Sequence, residues 1–110
     1  MGCLEEERNA LLKIKVAFNH PNGSSLPSWQ EGDCDCCSWE RVECDINSSR
    51  VTQLDLSYIR KELREYGPWV IDASLFLPLE ELQGLDLRDN YLSVNDEIHF
   101  HDHDKYEEQK

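Results

Sequence analysis

Hydrophobic positions along this chain fall into stretches of different period. Between residues 4 and 18, Leu4, Leu11, Ile14 and Phe18 are spaced seven, three and four apart, which predicts one stripe of an amphipathic helix. Glu5, Glu6 and Glu7 fill its first turn, where carboxylates suit the positive end of the helix dipole. His20-Pro21-Asn22-Gly23 predicts the end, because the residue before a proline avoids the helical region and Asn-Gly favours a turn. Leu11, Leu12 and Ile14 are expected in the core. Residues 19–49 carry little pattern, and Trp29 and Trp39 within them are expected to anchor irregular loops on the helix rather than form an exposed stacking pair.

Period two appears at residues 50–57, Arg50-Val51-Thr52-Gln53-Leu54-Asp55-Leu56-Ser57, and predicts a strand. Residues 79–92 set Leu79, Leu82, Leu85, Leu87, Asn90 and Leu92 in the order L-x-x-L-x-x-L-x-L-x-x-N-x-L, the leucine-rich-repeat pattern without a gap. The spacing has a physical cause. Leu85 and Leu87 point inward from a short strand, Asn90 turns the chain with its amide on backbone groups the turn leaves open, and Leu92 re-enters the core. Leu54-Asp55-Leu56 resembles an earlier copy centred 31 residues before Leu85 (85 − 54). A repeat of about 24 residues then implies an insertion of roughly seven within Tyr58–Pro78. Ile59 stands where the first copy would have its turn asparagine. From Ser93 the pattern stops, and residues 96–110 are expected to be a disordered tail.

Charge and cysteine count narrow the classes. The formal charge of −12 speaks against nucleic-acid binding, which needs a basic face, and against docking on an anionic membrane. No apolar run reaches the length of a membrane span. Five cysteines in 110 residues read as a disulfide framework in a secreted chain and as metal or redox chemistry in a cytosolic one. The opening Met1-Gly2-Cys3-Leu4-Glu5-Glu6-Glu7 has neither the basic start nor the apolar stretch of a signal peptide, so the expectation is a true start upstream. Glu6 stands where a myristoylation signal has Ser or Thr. Asn22-Gly23-Ser24 and Asn47-Ser48-Ser49 are glycosylation sequons in predicted loops, which makes Asn22 and Asn47 candidate sites.

Cys3-x-x-x-Glu7-Arg8-x-Ala10-Leu11-Leu12-x-x-Lys15, Leu26-Pro27-Ser28-Trp29 and Cys36-Cys37-Ser38-Trp39-x-x-Val42-x-Cys44 resemble the plant leucine-rich-repeat amino-terminal cap. Ala73-Ser74-Leu75-Phe76-Leu77-Pro78-Leu79-Glu80-Glu81-Leu82 resembles the receptor-like proteins among its bearers. The implied fold is α/β, the start of a leucine-rich-repeat solenoid. A helical, disulfide-bonded cap at residues 3–49 is followed by about two repeats with short parallel strands at residues 50–95. The resemblance implies disulfides Cys3 with Cys36 and Cys37 with Cys44, leaving Cys34 over as a competitor of Cys36 for Cys3. It also implies a protein or peptide ligand, a co-receptor kinase as partner, no cofactor, and a parent protein at the extracellular face of the plasma membrane or in the apoplast.

Candidate chemistry is sparse. Neither a glycine-rich phosphate loop nor a nucleophile elbow is present, and carboxylates drawn from 23 acids are weak evidence of acid–base catalysis, so a non-catalytic interaction module is expected. Zinc at Cys34, Cys36, Cys37 and Cys44 fits less well than the cap, since the spacings are tighter than in zinc knuckles. His99, His101 and His103 would share one side of an extended strand and face a metal, against the plainer reading of a solvated tail. The candidate recognition surface is the outward side of the repeat strands, Gln53, Asp55 and Ser57 beside Gly84, Asp86 and Arg88. With Asp55 and Asp86 as neighbours it suits a basic or hydroxyl-rich partner; the plainer reading is two solvent-facing strand residues. Alternative functions are a secreted inhibitor resembling the polygalacturonase-inhibiting proteins, a decoy, or a small metal-binding protein.

Overall fold

The computed structural model describes residues 3–92. Helix α1 (Glu5–Asn19) is followed by a 3-10 turn at Cys36–Ser38 and by strands β1 (Val42–Cys44) and β2 (Val51–Asp55). Two further 3-10 turns, Lys61–Tyr66 and Ala73–Phe76, lead to strand β3 (Gly84–Asp86). The helix buries Glu7, Ala10, Leu11, Ile14 and Phe18, with Leu12 partly buried beside them. Leu4 does not belong to this stripe: it precedes the helix in extended conformation and is 42% exposed. Its expected place is taken by Glu7, which is fully buried. The Glu7 carboxylate accepts the Val51 N–H and the Arg50 Nε–H, each at 2.9 Å. A buried carboxylate without partners would be strongly unfavourable, so these bonds tie α1 to the first residue of β2.

The sheet order is β1-β2-β3. β1 runs antiparallel to β2, with Val42 opposite Leu54 and Glu43 opposite Gln53. β2 runs parallel to β3, with Gln53, Leu54 and Asp55 opposite Gly84, Leu85 and Asp86. The register is thus the 31-residue offset of the two leucine patterns. β1 lies in a stretch expected to be irregular; three residues are too few for alternation to stand out. The ladder continues past the strands through Leu56 N–H to Asp86 O (2.8 Å) and Tyr58 N–H to Arg88 O (3.0 Å). Tyr58 and Asp89, again 31 apart, both adopt positive φ where each repeat turns. The stretch Tyr58–Pro78, within which the insertion falls, holds the second and third 3-10 turns, and between them Trp69 makes a parallel bridge with Leu92.

Asn90 is buried and bridges the two repeats. Its Nδ2 donates to the carbonyls of Leu56 (2.6 Å) and Leu87 (3.1 Å), and its Oδ1 accepts the Arg60 N–H at 3.0 Å. Ile59, at the equivalent position of the first repeat, is buried in the core cluster instead. Behind the sheet, α1 packs against the Ala73–Phe76 turn, and Leu11, Ile14, Phe18, Leu54, Leu56, Leu79, Leu82, Leu85 and Leu87 join one core.

The cap loops hang on the two tryptophans. Trp29 and Trp39 are buried and stacked, centroids 5.7 Å apart, and the Trp29 indole N–H donates to Glu40 O at 2.9 Å. Cys3 is bonded to Cys36 and Cys37 to Cys44, each pair with Cα atoms 5.6 Å apart, while Cys34 is free and exposed. Arg60 joins cap to repeats: it is buried, donates to the carbonyls of Phe18 (3.1 Å) and His20 (2.8 Å) at the end of α1, and stacks 4.1 Å over Trp69. These are open carbonyls of a helix terminus, where a cation is also favoured by the dipole. Burial pulls the Arg60 guanidinium below its ordinary pKa, and it has ring and carbonyl dipoles in place of water.

Candidate recognition face

Because Leu54 and Leu85 point inward, alternation sends Gln53 and Asp55 outward beside Gly84 and Asp86. Three rows cross the sheet. Glu43, Gln53 and Gly84 form the first, Arg41, Asp55 and Asp86 the second, and Ser57 and Arg88 the third. Gly84 leaves room that the Gln53 side chain fills; a Cβ there would meet the Gln53 amide. Gln53, Asp55 and Arg88 are exposed, Ser57 and Asp86 half-buried.

The expected acidic pair is present as neighbouring carboxylates, each with an arginine beside it. Arg41, at φ 68°, donates from one guanidinium nitrogen to the carbonyls of Asp55 (2.9 Å) and Ser57 (3.0 Å), and lies 3.5 Å from the Asp55 carboxylate. The same carboxylate accepts the Ser57 hydroxyl at 2.7 Å and the Ser57 N–H at 3.1 Å. Asp86 is held by Arg88 in a two-pronged contact, 2.9 Å from Nε to Oδ1 and 2.7 Å from the terminal nitrogen to Oδ2. Asp55 and Asp86 therefore each have an arginine beside them, while Glu43 in the first row is exposed and has no ion pair among the described residues. The Arg88 side chain holds the Asp86 carboxyl below its usual range, with the Arg88 N–H and the Arg41 charge assisting, and Asp86 in turn raises the Arg88 guanidinium. Sequence pattern alone does not single out Arg41. Alternation about Val42 would put it outward, were β1 legible.

Both sequon asparagines are exposed: Asn22 follows the cis His20–Pro21 bond after α1, and Asn47 lies in the loop from β1 to β2. Cys36, Cys37 and Cys44 stand in disulfides, a form in which sulfur is not the thiolate that zinc binds. Residues 93–95, the predicted tail 96–110 and its His99, His101 and His103 lie outside the described residues.

Residues 4–45 match the leucine rich repeat N-terminal domain family. Cuscuta receptor 1 of Solanum lycopersicum is 41% identical over 91 residues, covering 76% of this chain and 8% of that protein. Receptor-like protein 45 of Arabidopsis thaliana is 36% identical over 95 residues, covering 82% of this chain and 10% of that protein. Receptor-like protein 9a of Arabidopsis thaliana is 39% identical over 89 residues, 81% of this chain and 9% of its own length. The chain thus spans 8 to 10% of the length of these relatives. Among solved structures, a plant ice-binding protein is similar, with a TM-score of 0.56 and 30% identity over 80% of this chain and 26% of that one. A helical cap with leucine-rich-repeat strands stacked in parallel register behind it, together with these relatives, assigns the chain to the plant leucine-rich-repeat receptor-like proteins, as their amino-terminal cap and first repeats.

Proposed function

We propose that residues 3–49 seal the hydrophobic end of an extracellular leucine-rich-repeat solenoid, and that Gln53, Asp55, Ser57, Asp86 and Arg88 form the first rows of its ligand-reading face. The parent protein sits at the plasma membrane's outer face or in the apoplast, where disulfides Cys3–Cys36 and Cys37–Cys44 persist. It binds a protein or peptide ligand and works with a co-receptor kinase. The observation that carries this reading is the parallel register of Asp55 with Asp86, which aligns the outward side chains of successive repeats into rows.

The role is binding and not catalysis. The charged groups of the face are driven further into their ionised forms, Asp86 downward and Arg88 upward, the opposite of what proton transfer near neutral pH needs. No helix of the described residues is long and apolar enough to cross a membrane.

A chimera tests both halves of the proposal. This chain replaces the matching segment of Cuscuta receptor 1, and surface delivery and signalling are measured. Capping predicts normal delivery to the cell surface; retention of the chimera inside the cell overturns it. An Arg88→Glu substitution in the delivered chimera is expected to weaken the response to ligand while delivery stays unchanged. An unaltered response removes these rows from the reading face.

A further inference from the structure

The amide that a glycan would occupy at Asn22 already has a neighbour. Asn22 Nδ2 donates to the Tyr66 hydroxyl at 2.9 Å, across 44 residues of sequence, and both side chains are exposed. Tyr66 ends the Lys61–Tyr66 turn within the inserted residues, and its ring is about half exposed (49%). The Asn22 loop is fixed at its base, since the Asn19 side chain accepts the Ser25 N–H at 2.7 Å and donates to the Ser25 carbonyl at 2.9 Å. Ser24, the hydroxyl of the sequon Asn22-Gly23-Ser24, is exposed too.

We propose that Asn22 is N-glycosylated and that its first sugar rests on the Tyr66 ring, so that the glycan clasps the cap loop to the inserted turn. The inference rests on the secretory reading proposed for the parent protein. The chemistry leaves one proton on the amide nitrogen. In the transfer the Asn22 nitrogen forms a bond to C1 of a sugar carried on a lipid diphosphate, the C1–O bond to that diphosphate breaks, and the lipid diphosphate departs as one amide proton is lost. The nitrogen keeps its second proton, which is available to the Tyr66 hydroxyl. The bonded sugar then begins within one bond of the partner of an exposed aromatic ring, whose negative face suits the C–H side of a pyranose. Asn47, in the loop from β1 to β2, has no such aromatic contact among the described hydrogen bonds and ring contacts.

The full 110-residue chain, secreted from plant cells behind a secretory leader, provides the test. Peptide mapping reads the occupancy of both sequons. An Asn47→Gln background then isolates Asn22, and trimming to a single N-acetylglucosamine gives a defined sugar. Melting temperatures are compared with and without that sugar, in Tyr66 and in Tyr66→Ala protein. The expected result is an occupied Asn22 and a sugar-dependent rise of roughly 2–4 °C that disappears in Tyr66→Ala. A secreted protein with Asn47 modified and Asn22 bare overturns the inference while leaving the secretory reading standing. Neither asparagine modified counts against both. A rise of equal size with and without the Tyr66 ring overturns the clasp.

Discussion

Single residues decide more here than their number suggests, and Asn90 is the plainest case. Its amide satisfies three carbonyl and N–H groups of two repeats at 3.1 Å or less. Asn90→Leu keeps the branched shape, adds volume and loses those bonds, leaving buried groups unpaired. We expect a loss of about 2–4 kcal/mol in urea unfolding. Asp86 gives a pH signature. Its folded pKa lies below its unfolded value near 3.9, so its pairing with Arg88 stabilises fully above that value and is lost as pH falls through the folded pKa. The stability gap between wild type and Asp86→Asn should therefore be constant from pH 7 to 5 and close below about 4. Leu85, Leu87 and Asn90 were legible in the sequence because their roles are fixed by spacing within one turn. Glu7 and Arg60 were not. Their partners are main-chain groups 40 or more residues away in sequence, an N–H of β2 for Glu7 and the carbonyls ending α1 for Arg60. Charge in a heptad pattern looks like a solvated face until the fold brings such groups to it.

At the scale of elements, the helix and two of the three strands follow from periodicity, while β1 follows from its covalent setting. Three residues do not make a strand by propensity. Here Cys37–Cys44 closes a loop at its end, the Asp45 carboxylate gathers the N–H groups of Asn47 and Ser48, and Val42 packs opposite Leu54. A short loop of this kind contributes about 2–3 kcal/mol in the chain-entropy account. The double substitution Cys37→Ser, Cys44→Ser should lower stability by that amount and weaken amide protection in β1 before β3, as hydrogen exchange would report. Cys34→Ser, at an exposed free cysteine, should leave the melting temperature unchanged; a marked drop would mean that Cys34 takes part in the pairing after all. The insertion between the repeats was legible as a length and not as a structure. Its shape depends on Trp69, which reaches Asn90 O through its indole N–H (2.6 Å) and meets Phe18 edge-on at 5.1 Å.

The described residues form a thin slab, 39 × 30 × 17 Å, with the helix and turns on one side and the polar rows on the other. Such a shape has little interior for its size, so covalent closure weighs heavily. The loop closed by Cys3–Cys36 is worth about 3–4 kcal/mol in the same account, against a total of roughly 5–15 for a small domain. Excess dithiothreitol should therefore unfold the cap, with loss of helical circular dichroism; an unchanged spectrum and melting curve would refute this dependence. With Asp55 and Asp86 each beside an arginine, the salt dependence of affinity at this end of the face should come mainly from Glu43, the exposed carboxylate of the first row, and hydrogen-bond geometry should supply the rest.

Asn90 also gives the architecture an arrow. Its bonds to Leu56 and Arg60 reach back to the coil before it, so that the second turn closes against groups of the first. During synthesis the first coil leaves the ribosome before Asn90 does, so the Leu56 carbonyl and the Arg60 N–H are already there for the second coil to close on.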